Sequence, residues 1–119
     1  MNRIALFGAA LVTALALAAP IGAASSVTKL TGTVGPGFTI TLKKGTAKVK
    51  TLKAGSYKIT VQDKSDIHDF HLTGPGVNKV ITSVAFKGNK TVTLTLKKGT
   101  YKYVCDPHAA AMKGTFKVT

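Results

Sequence analysis

Apolar and polar residues alternate along much of this chain with a period of two. The segment 91–96 places Val92, Leu94 and Leu96 on one face and threonines on the other. The segment 38–42 repeats the pattern, with an apolar residue at every second position from Phe38 onward. No helical period of useful length follows the first two dozen residues. The pattern therefore predicts β-strands.

Further apolar runs are separated by short connecting segments that contain glycine. These runs cover residues 57–61, 68–72, 77–86, 100–105 and 115–118. Short strands at this spacing, rich in threonine and valine, are typical of an all-β antiparallel sandwich or barrel.

One turn sequence occurs three times, in segments 42–49, 52–59 and 96–103. Each copy reads as a strand end with leucine and lysine, a glycine that can adopt positive φ, and a new strand. The copies are unequally spaced, so they indicate reused turn chemistry and not a solenoid repeat. Tyr57 and Tyr101 follow Gly-Ser and Gly-Thr in two of these copies, and we expect their hydroxyl groups to bond to nearby backbone.

The first two dozen residues have the features of a secretory signal peptide. Arg3 provides a positive start, residues 4–19 are almost entirely apolar, and Gly22 and two alanines offer a cleavage site. The apolar run is shorter than the roughly 20 residues of a membrane span, so an uncleaved anchor is the weaker interpretation. We expect cleavage after Ala24, one domain over 25–119, and a secreted or periplasmic location.

Charge in the predicted mature chain is strongly positive, with sixteen lysines against four aspartates and a formal net charge of +12. Many lysines alternate with apolar residues, as on a solvated sheet face with protected edges. The mature chain has no arginine, and no aromatic residues interleave with a basic groove, so nucleic-acid binding is not expected. The field favours a partner protein with an acidic surface and peripheral contact with an anionic envelope surface. We expect a monomer.

Cys105 is the only cysteine in the chain. One cysteine cannot form an internal disulfide, and a free thiol in an oxidising compartment is reactive unless it is protected. Metal ligation would protect the thiolate and would also stabilise a domain of this size.

Soft and borderline donors cluster around this cysteine, since His108 and Met112 follow within eight residues. Thiolate, imidazole and thioether are the donors that copper prefers. The remaining histidines are His68 and His71. If the strand 68–72 turns His68 inward, Phe70 and Leu72 also point into the core. If it turns His71 inward instead, both apolar side chains point to solvent and Asp69 is buried. Side-chain alternation thus selects His68 as the missing imidazole and leaves His71 and Asp69 outside.

These residues resemble those of the cupredoxins, the blue copper proteins that include plastocyanin, azurin and amicyanin, and the resemblance covers essentially the whole mature chain. It implies a Greek-key β-sandwich with one type 1 copper. The resemblance assigns the upstream ligand to His68, the thiolate to Cys105, the second imidazole to His108 and the axial thioether to Met112.

The sequence departs from the plastocyanin pattern at three points. Two residues separate Cys105 from His108 and three separate His108 from Met112, where plastocyanins have two and four and amicyanins two and two. Asp69 stands where plastocyanins have asparagine, and Val104 where they have an exposed tyrosine. A negative charge at Asp69 would favour oxidised copper.

Two imidazoles and a thiolate form a trigonal site that both copper oxidation states accept, while a distant thioether adjusts the potential. Four protein ligands leave no open position for substrate, so we expect no enzymatic activity. Zinc is disfavoured by an axial methionine. The predicted function is one-electron transfer. The alternatives are a copper carrier or buffer without electron transfer and, less favoured, a metal-free β-sandwich binding module.

Overall fold

A computed structural model describes residues 26–119 of the chain. The predicted signal peptide over 1–24 lies outside the described residues, so its cleavage remains a prediction. Within 26–119 there is no helix with the length and apolarity that a membrane crossing requires.

Ten strands and one short 3-10 turn make up the described part of the chain. The strands are β1 (Thr28–Val34), β2 (Ile40–Lys44), β3 (Ala47–Lys48), β4 (Thr51–Leu52), β5 (Gly55–Asp63), β6 (Phe70–Gly74), β7 (Val77–Thr82), β8 (Gly88–Leu96), β9 (Gly99–Val104) and β10 (Lys113–Val118). The 3-10 turn, Asp106–His108, lies between β9 and β10.

The strands form two five-stranded sheets, ordered β3-β2-β1-β5-β8 and β4-β10-β9-β6-β7. The predicted all-β sandwich is confirmed. Six of the strand pairs are antiparallel, while β1 with β5 and β4 with β10 are parallel. The parallel pairs arise because the chain crosses between the sheets and returns beside an earlier strand in the same direction.

The strand β1 was not among the predicted ones, and its inward positions explain why. Leu30, Gly32 and Val34 are all buried, so the alternation is present but its central member has no side chain. A Cβ at Gly32 would lie 2.9 Å from Cε2 of Phe70. The ring of Phe70, on the facing sheet, fills the space that a side chain at position 32 would occupy. The apolar alternation of β1 therefore has a gap at its centre.

Aromatic rings form much of the core between the sheets. Phe70 stacks on Tyr103 with ring centroids 5.6 Å apart, and Tyr101 stacks on Phe116 at 5.3 Å. All four rings are buried. Because β6, β9 and β10 are neighbours, these stacks hold together the sheet that also leads into the loop containing Cys105.

The predicted backbone bonds of the two turn tyrosines are confirmed. The Tyr57 hydroxyl donates to the carbonyl of Lys53 at 2.6 Å. The Tyr101 hydroxyl donates to the carbonyl of Pro75 at 2.7 Å and accepts from the N–H of Lys97 at 2.9 Å. Each tyrosine thus fastens the turn that precedes its own strand.

Strand direction separates the loops into two groups at opposite ends of the sandwich. The loops after β1, β5 and β9 lie at one end, which we call the ligand end because it contains Cys105. The three repeated turns, after β2, β4 and β8, lie at the other end, which we call the turn end.

Candidate metal centre

Two loops bring the predicted ligands to the ligand end. His68 lies in the loop between β5 and β6, two residues before β6 begins. Cys105 follows β9, His108 closes the 3-10 turn, and Met112 immediately precedes β10. The predicted strand 68–72 therefore begins later than expected, at Phe70.

Three donor atoms converge at this end. Nδ1 of His68 lies 3.1 Å from Nδ1 of His108, and Sγ of Cys105 lies 3.6 Å from each of these nitrogens. The donor atoms of the three residues all lie within 4.8 Å of one another. Cys105 and His68 are fully buried and His108 is partly exposed. The structure thus brings His68, and not His71, together with Cys105 and His108. Alternation within a strand does not explain this placement, because His68 lies before β6 begins.

The arrangement fits a metal ion better than a hydrogen-bonded trio. A neutral imidazole has one donor and one acceptor nitrogen, so two rings that both direct Nδ1 at the same point compete for one proton. None of the described residues gives the buried Nε2 of His68 a hydrogen-bond partner. With Nδ1 as the ligating atom, two imidazoles and one sulfur would provide the nitrogen and thiolate donors that copper accepts.

Met112 is held between the other two segments through its backbone. Its carbonyl accepts the N–H of Cys105 at 3.0 Å, and its own N–H donates to the carbonyl of His108 at 2.9 Å. Its side chain is fully buried. We call residues 105–112 the ligand loop. It is closed by backbone bonds between three of the predicted ligand residues.

The sulfur receives one backbone donor and is otherwise desolvated. The N–H of Asp69 donates to Sγ of Cys105 at 3.4 Å. Burial raises the pKa of the Cys105 thiol above its usual value, so without metal the thiol keeps its proton at neutral pH. Metal binding must therefore displace that proton, which makes affinity depend on pH.

Asp69 was expected to point outward, and that expectation was wrong. The residue is buried and its Oδ1 accepts the backbone N–H of Asp106 at 2.6 Å. Because Asp69 precedes β6, the alternation within the strand does not govern its direction. Burial raises the pKa of this carboxyl to about 6. Asp69 thus ties the upstream loop to the ligand loop through both its backbone and its side chain.

His71 does not reach the donor cluster but braces the ligand loop from outside. Its Nδ1 lies 2.9 Å from Oδ2 of Asp106, and its Nε2 lies 2.6 Å from Oδ1 of Asn78. The Asn78 amide oxygen and, further, the Asp106 carboxylate raise the pKa of His71, because they accept from the protonated ring. Hydrogen bonds from Asp69 and then His71 lower the pKa of Asp106.

Phe38 is the site residue that the sequence pattern missed. The predicted strand 38–42 would turn its ring inward, but β2 begins at Ile40 and the ring is 60% exposed. Its edge meets His68 at a centroid distance of 5.4 Å and His108 at 4.9 Å. The loop can approach this closely because Gly35 has φ of 71° and a Cβ there would crowd the ring of His68. The Gly-Pro-Gly sequence before Phe38 was the available signal for a loop.

A two-sheet β-sandwich with a buried His-Cys-His cluster at one end defines the class of blue copper proteins. Residues 33–119 match the family described as copper binding proteins, plastocyanin/azurin family. The chain belongs to this family. Its three-donor cluster is consistent with one type 1 copper per chain.

Solved structures of rusticyanin are similar to this chain over most of their length. A rusticyanin variant has 26% sequence identity and a TM-score of 0.55, and the match covers 76% of each chain. Rusticyanin from Thiobacillus ferrooxidans has 25% identity and a TM-score of 0.53, again over 76% of each chain. No curated protein is significantly similar to the chain in sequence.

Proposed function

We propose that this protein is a one-electron carrier in which His68, Cys105 and His108 ligate copper that alternates between Cu(II) and Cu(I). The observation that carries the proposal is the convergence of two Nδ1 atoms and Sγ at a buried point. When bound, copper would supply the redox chemistry.

The described residues support electron transfer because they limit movement. The three donors come from loops joined by the backbone bonds of Met112 and by the contacts of Asp69 with Cys105 and Asp106. A centre that keeps its geometry when its charge changes loses or gains an electron with little reorganisation. Occupied ligand positions also give a substrate no place to bind, which supports a carrier and not an enzyme.

Met112 is the fourth ligand in this proposal. Its buried side chain belongs to a residue whose backbone bonds to both Cys105 and His108, so its position is fixed relative to the other donors. A thioether at this place would adjust the reduction potential as a weak axial donor. Replacement by leucine should change the potential while the colour of the Cu(II) protein remains.

The partly exposed edge of His108 is the proposed route for electrons. Phe38 packs against this imidazole, and the exposed apolar residues Ala109–Ala111 follow it directly in the chain. A redox partner protein would dock there and reach the metal through one imidazole. We place the protein outside the cytoplasm, as a monomer, because of its apolar leader and its lone buried cysteine.

The test is an optical and electron paramagnetic resonance spectrum of the protein loaded with Cu(II). We expect an intense blue colour from thiolate-to-copper charge transfer and the small copper hyperfine splitting of a thiolate-bound centre. A colourless Cu(II) protein would contradict the proposal. Stopped-flow reduction then separates electron transfer from copper carriage, since a carrier of copper ions would exchange electrons slowly and release Cu(I) to a chelating acceptor.

A further inference from the structure

The turn end of the sandwich collects the three repeated turns and their lysines. Pairing of Gly55 with Leu96 and of Val118 with both Leu52 and Gly99 places the turns after β4 and β8 side by side. The turn after β2 lies at the same end because β2 runs antiparallel to β1. We call the exposed lysines of these turns the basic pole: Lys43, Lys44, Lys53, Lys97 and Lys98.

The negative charges lie at the opposite end. Asp63, Asp66 and Asp69 belong to the end of β5 and the loop that follows, and Asp106 belongs to the ligand loop. No aspartate or glutamate side chain of residues 26–119 is near the basic pole. Even with a carboxylate at Thr119, whose backbone oxygen accepts the N–H of Ala54 at 2.9 Å, the lysines remain in large excess. Within residues 26–119, the lysines of the basic pole and the four aspartates therefore lie at opposite ends of the strands.

A groove opens between the two sheets within the basic pole. Lys44 comes from the first sheet and Lys53 follows a strand of the second. The other lining residues are Thr28, Thr51, Leu52 and Tyr57. Its volume of about 420 Å³ is in the range of small-ligand sites. Two lysines and two threonines beside a concave surface offer the residue types that bind the phosphate of a lipid headgroup.

The chain also enters the domain at this pole. Thr28 begins β1 and lines the groove, so the apolar run 4–19 is joined to the domain here through only a few residues. The eight residues 20–27 make this connection, so a membrane that holds the run would lie within reach of the basic pole.

We propose that the basic pole docks on a membrane surface rich in anionic phospholipid and that the ligand end points away from it. Lysines without exposed aromatic or arginine residues suit a diffuse anionic surface better than a protein interface, whose strongest contacts use those residue types. Along the nine residues of β5 the two ends are separated by roughly 30 Å, so the metal end stays accessible to a redox partner. The proposal does not depend on whether the copper transfers electrons.

The experiment measures sedimentation of the isolated, copper-loaded protein with vesicles of phosphatidylcholine alone or mixed with phosphatidylglycerol. We expect binding only to the anionic vesicles, with release at high salt. The variant Lys44→Gln/Lys53→Gln/Lys98→Gln should bind roughly 100-fold more weakly, because each lysine near an anionic surface contributes about a fivefold factor.

A matched control removes the same charge from the ligand end, in Lys64→Gln/Lys87→Gln/Lys113→Gln. This variant should lose much less affinity. Equal losses in the two variants would overturn the proposal, because net charge alone would then explain binding. Release by inorganic phosphate beyond that by chloride of equal ionic strength would also overturn it, in favour of a site for free phosphate.

Orientation is measured by acetylation of lysines on the vesicle-bound protein, followed by mass spectrometry. We expect protection of Lys44, Lys53 and Lys98 and continued labelling of Lys64 and Lys87. Protection of the ligand-end lysines instead would contradict the orientation. The protein could instead fail to bind anionic vesicles and bind an acidic protein through the basic pole. That result would overturn the membrane proposal and identify a protein as the partner of this surface.

Discussion

At the turn end of the sandwich, two tyrosine hydroxyl groups form hydrogen bonds with nearby backbone. At the ligand end, two imidazole nitrogens and a sulfur face one another. Tyr57 and Tyr101 satisfy their own hydroxyl groups and fasten two turns. His68 has a buried nitrogen to which no residue of 26–119 hydrogen-bonds, and Cys105 has a thiol whose pKa is raised by burial. The hydrogen bonds of the turn end stabilise the fold. The donor atoms of the ligand end cost stability, because polar atoms are held close together there, ready for a metal.

Because the two ends differ in this way, we expect the stability of the fold and the properties of the metal centre to respond separately to substitution. Changes at the turn end should alter unfolding with and without copper by similar amounts, and should leave the spectrum unchanged. Changes at the ligand end should alter the spectrum and the stabilisation by copper, with little effect on the copper-free protein. The predictions below test this separation.

The largest effect is expected for Cys105→Ser. Serine replaces the thiolate of the donor cluster, so the charge-transfer colour should disappear. Copper at about 1,000 times its dissociation constant should stabilise the wild-type protein by about 4 kcal/mol, and the variant should lose most of that stabilisation. Copper titration by absorbance and thermal melting with and without copper measure both effects. Colour that persists in the variant would show that the thiolate is not a ligand.

At the turn end, the next effect is expected for Tyr101→Phe. The change leaves the N–H of Lys97 and the carbonyl of Pro75 without their partner, so the free energy of unfolding should fall by about 2 kcal/mol. Tyr57→Phe is the matched control, because it removes one bond instead of two and should cost about 1 kcal/mol. Urea unfolding of the copper-free and copper-loaded forms provides the comparison. A changed copper spectrum in either variant would break the proposed separation of the two ends.

The sequence predicted the turn end better than the ligand end, and the reason is local geometry. A tyrosine after Gly-Ser or Gly-Thr at a strand start needs only nearby backbone, so Tyr57 and Tyr101 could be interpreted from their neighbours. His68 was selected from the alternation of Phe70 and Leu72, but that alternation does not reach it, because His68 lies before β6 and its neighbour Asp69 is buried as well. These inferences depend on residues that lie a few positions apart.

Asp69 and Phe38 could not be predicted in the same way. Both precede a strand, and their directions depend on distant segments: the N–H of Asp106 for Asp69 and the imidazoles of His68 and His108 for Phe38. Gly32 shows a different limit, since the inward position is filled by a ring from the other sheet. Alternation predicts direction within a strand but not in the loops where the metal centre is built.

A smaller, pH-dependent effect is expected for His71→Gln. The raised pKa of His71 means that its contribution to stability is fully present below its unfolded value of 6.5 and is lost as pH rises through the folded pKa. Because the pair with Asp106 is partly exposed, the contribution at pH 5.5 should stay below about 1 kcal/mol. Urea unfolding of copper-free wild type and variant should therefore differ at pH 5.5 and converge at pH 8.5. A difference that grows with pH would contradict this assignment.

The smallest effect is expected for Asp69→Asn and concerns only the potential of the metal. An asparagine oxygen can still accept the N–H of Asp106, and the backbone N–H to Cys105 is unchanged, so the substitution removes charge with little change of geometry. At pH 8 the carboxyl is ionised, since its pKa is about 6, and a negative charge beside the centre stabilises Cu(II) relative to Cu(I). The variant should therefore have a higher reduction potential, by tens of millivolts, on the order expected for one nearby charge. Protein-film voltammetry measures it, and an unchanged potential would mean that Asp69 holds the ligand loop in place without adjusting the copper.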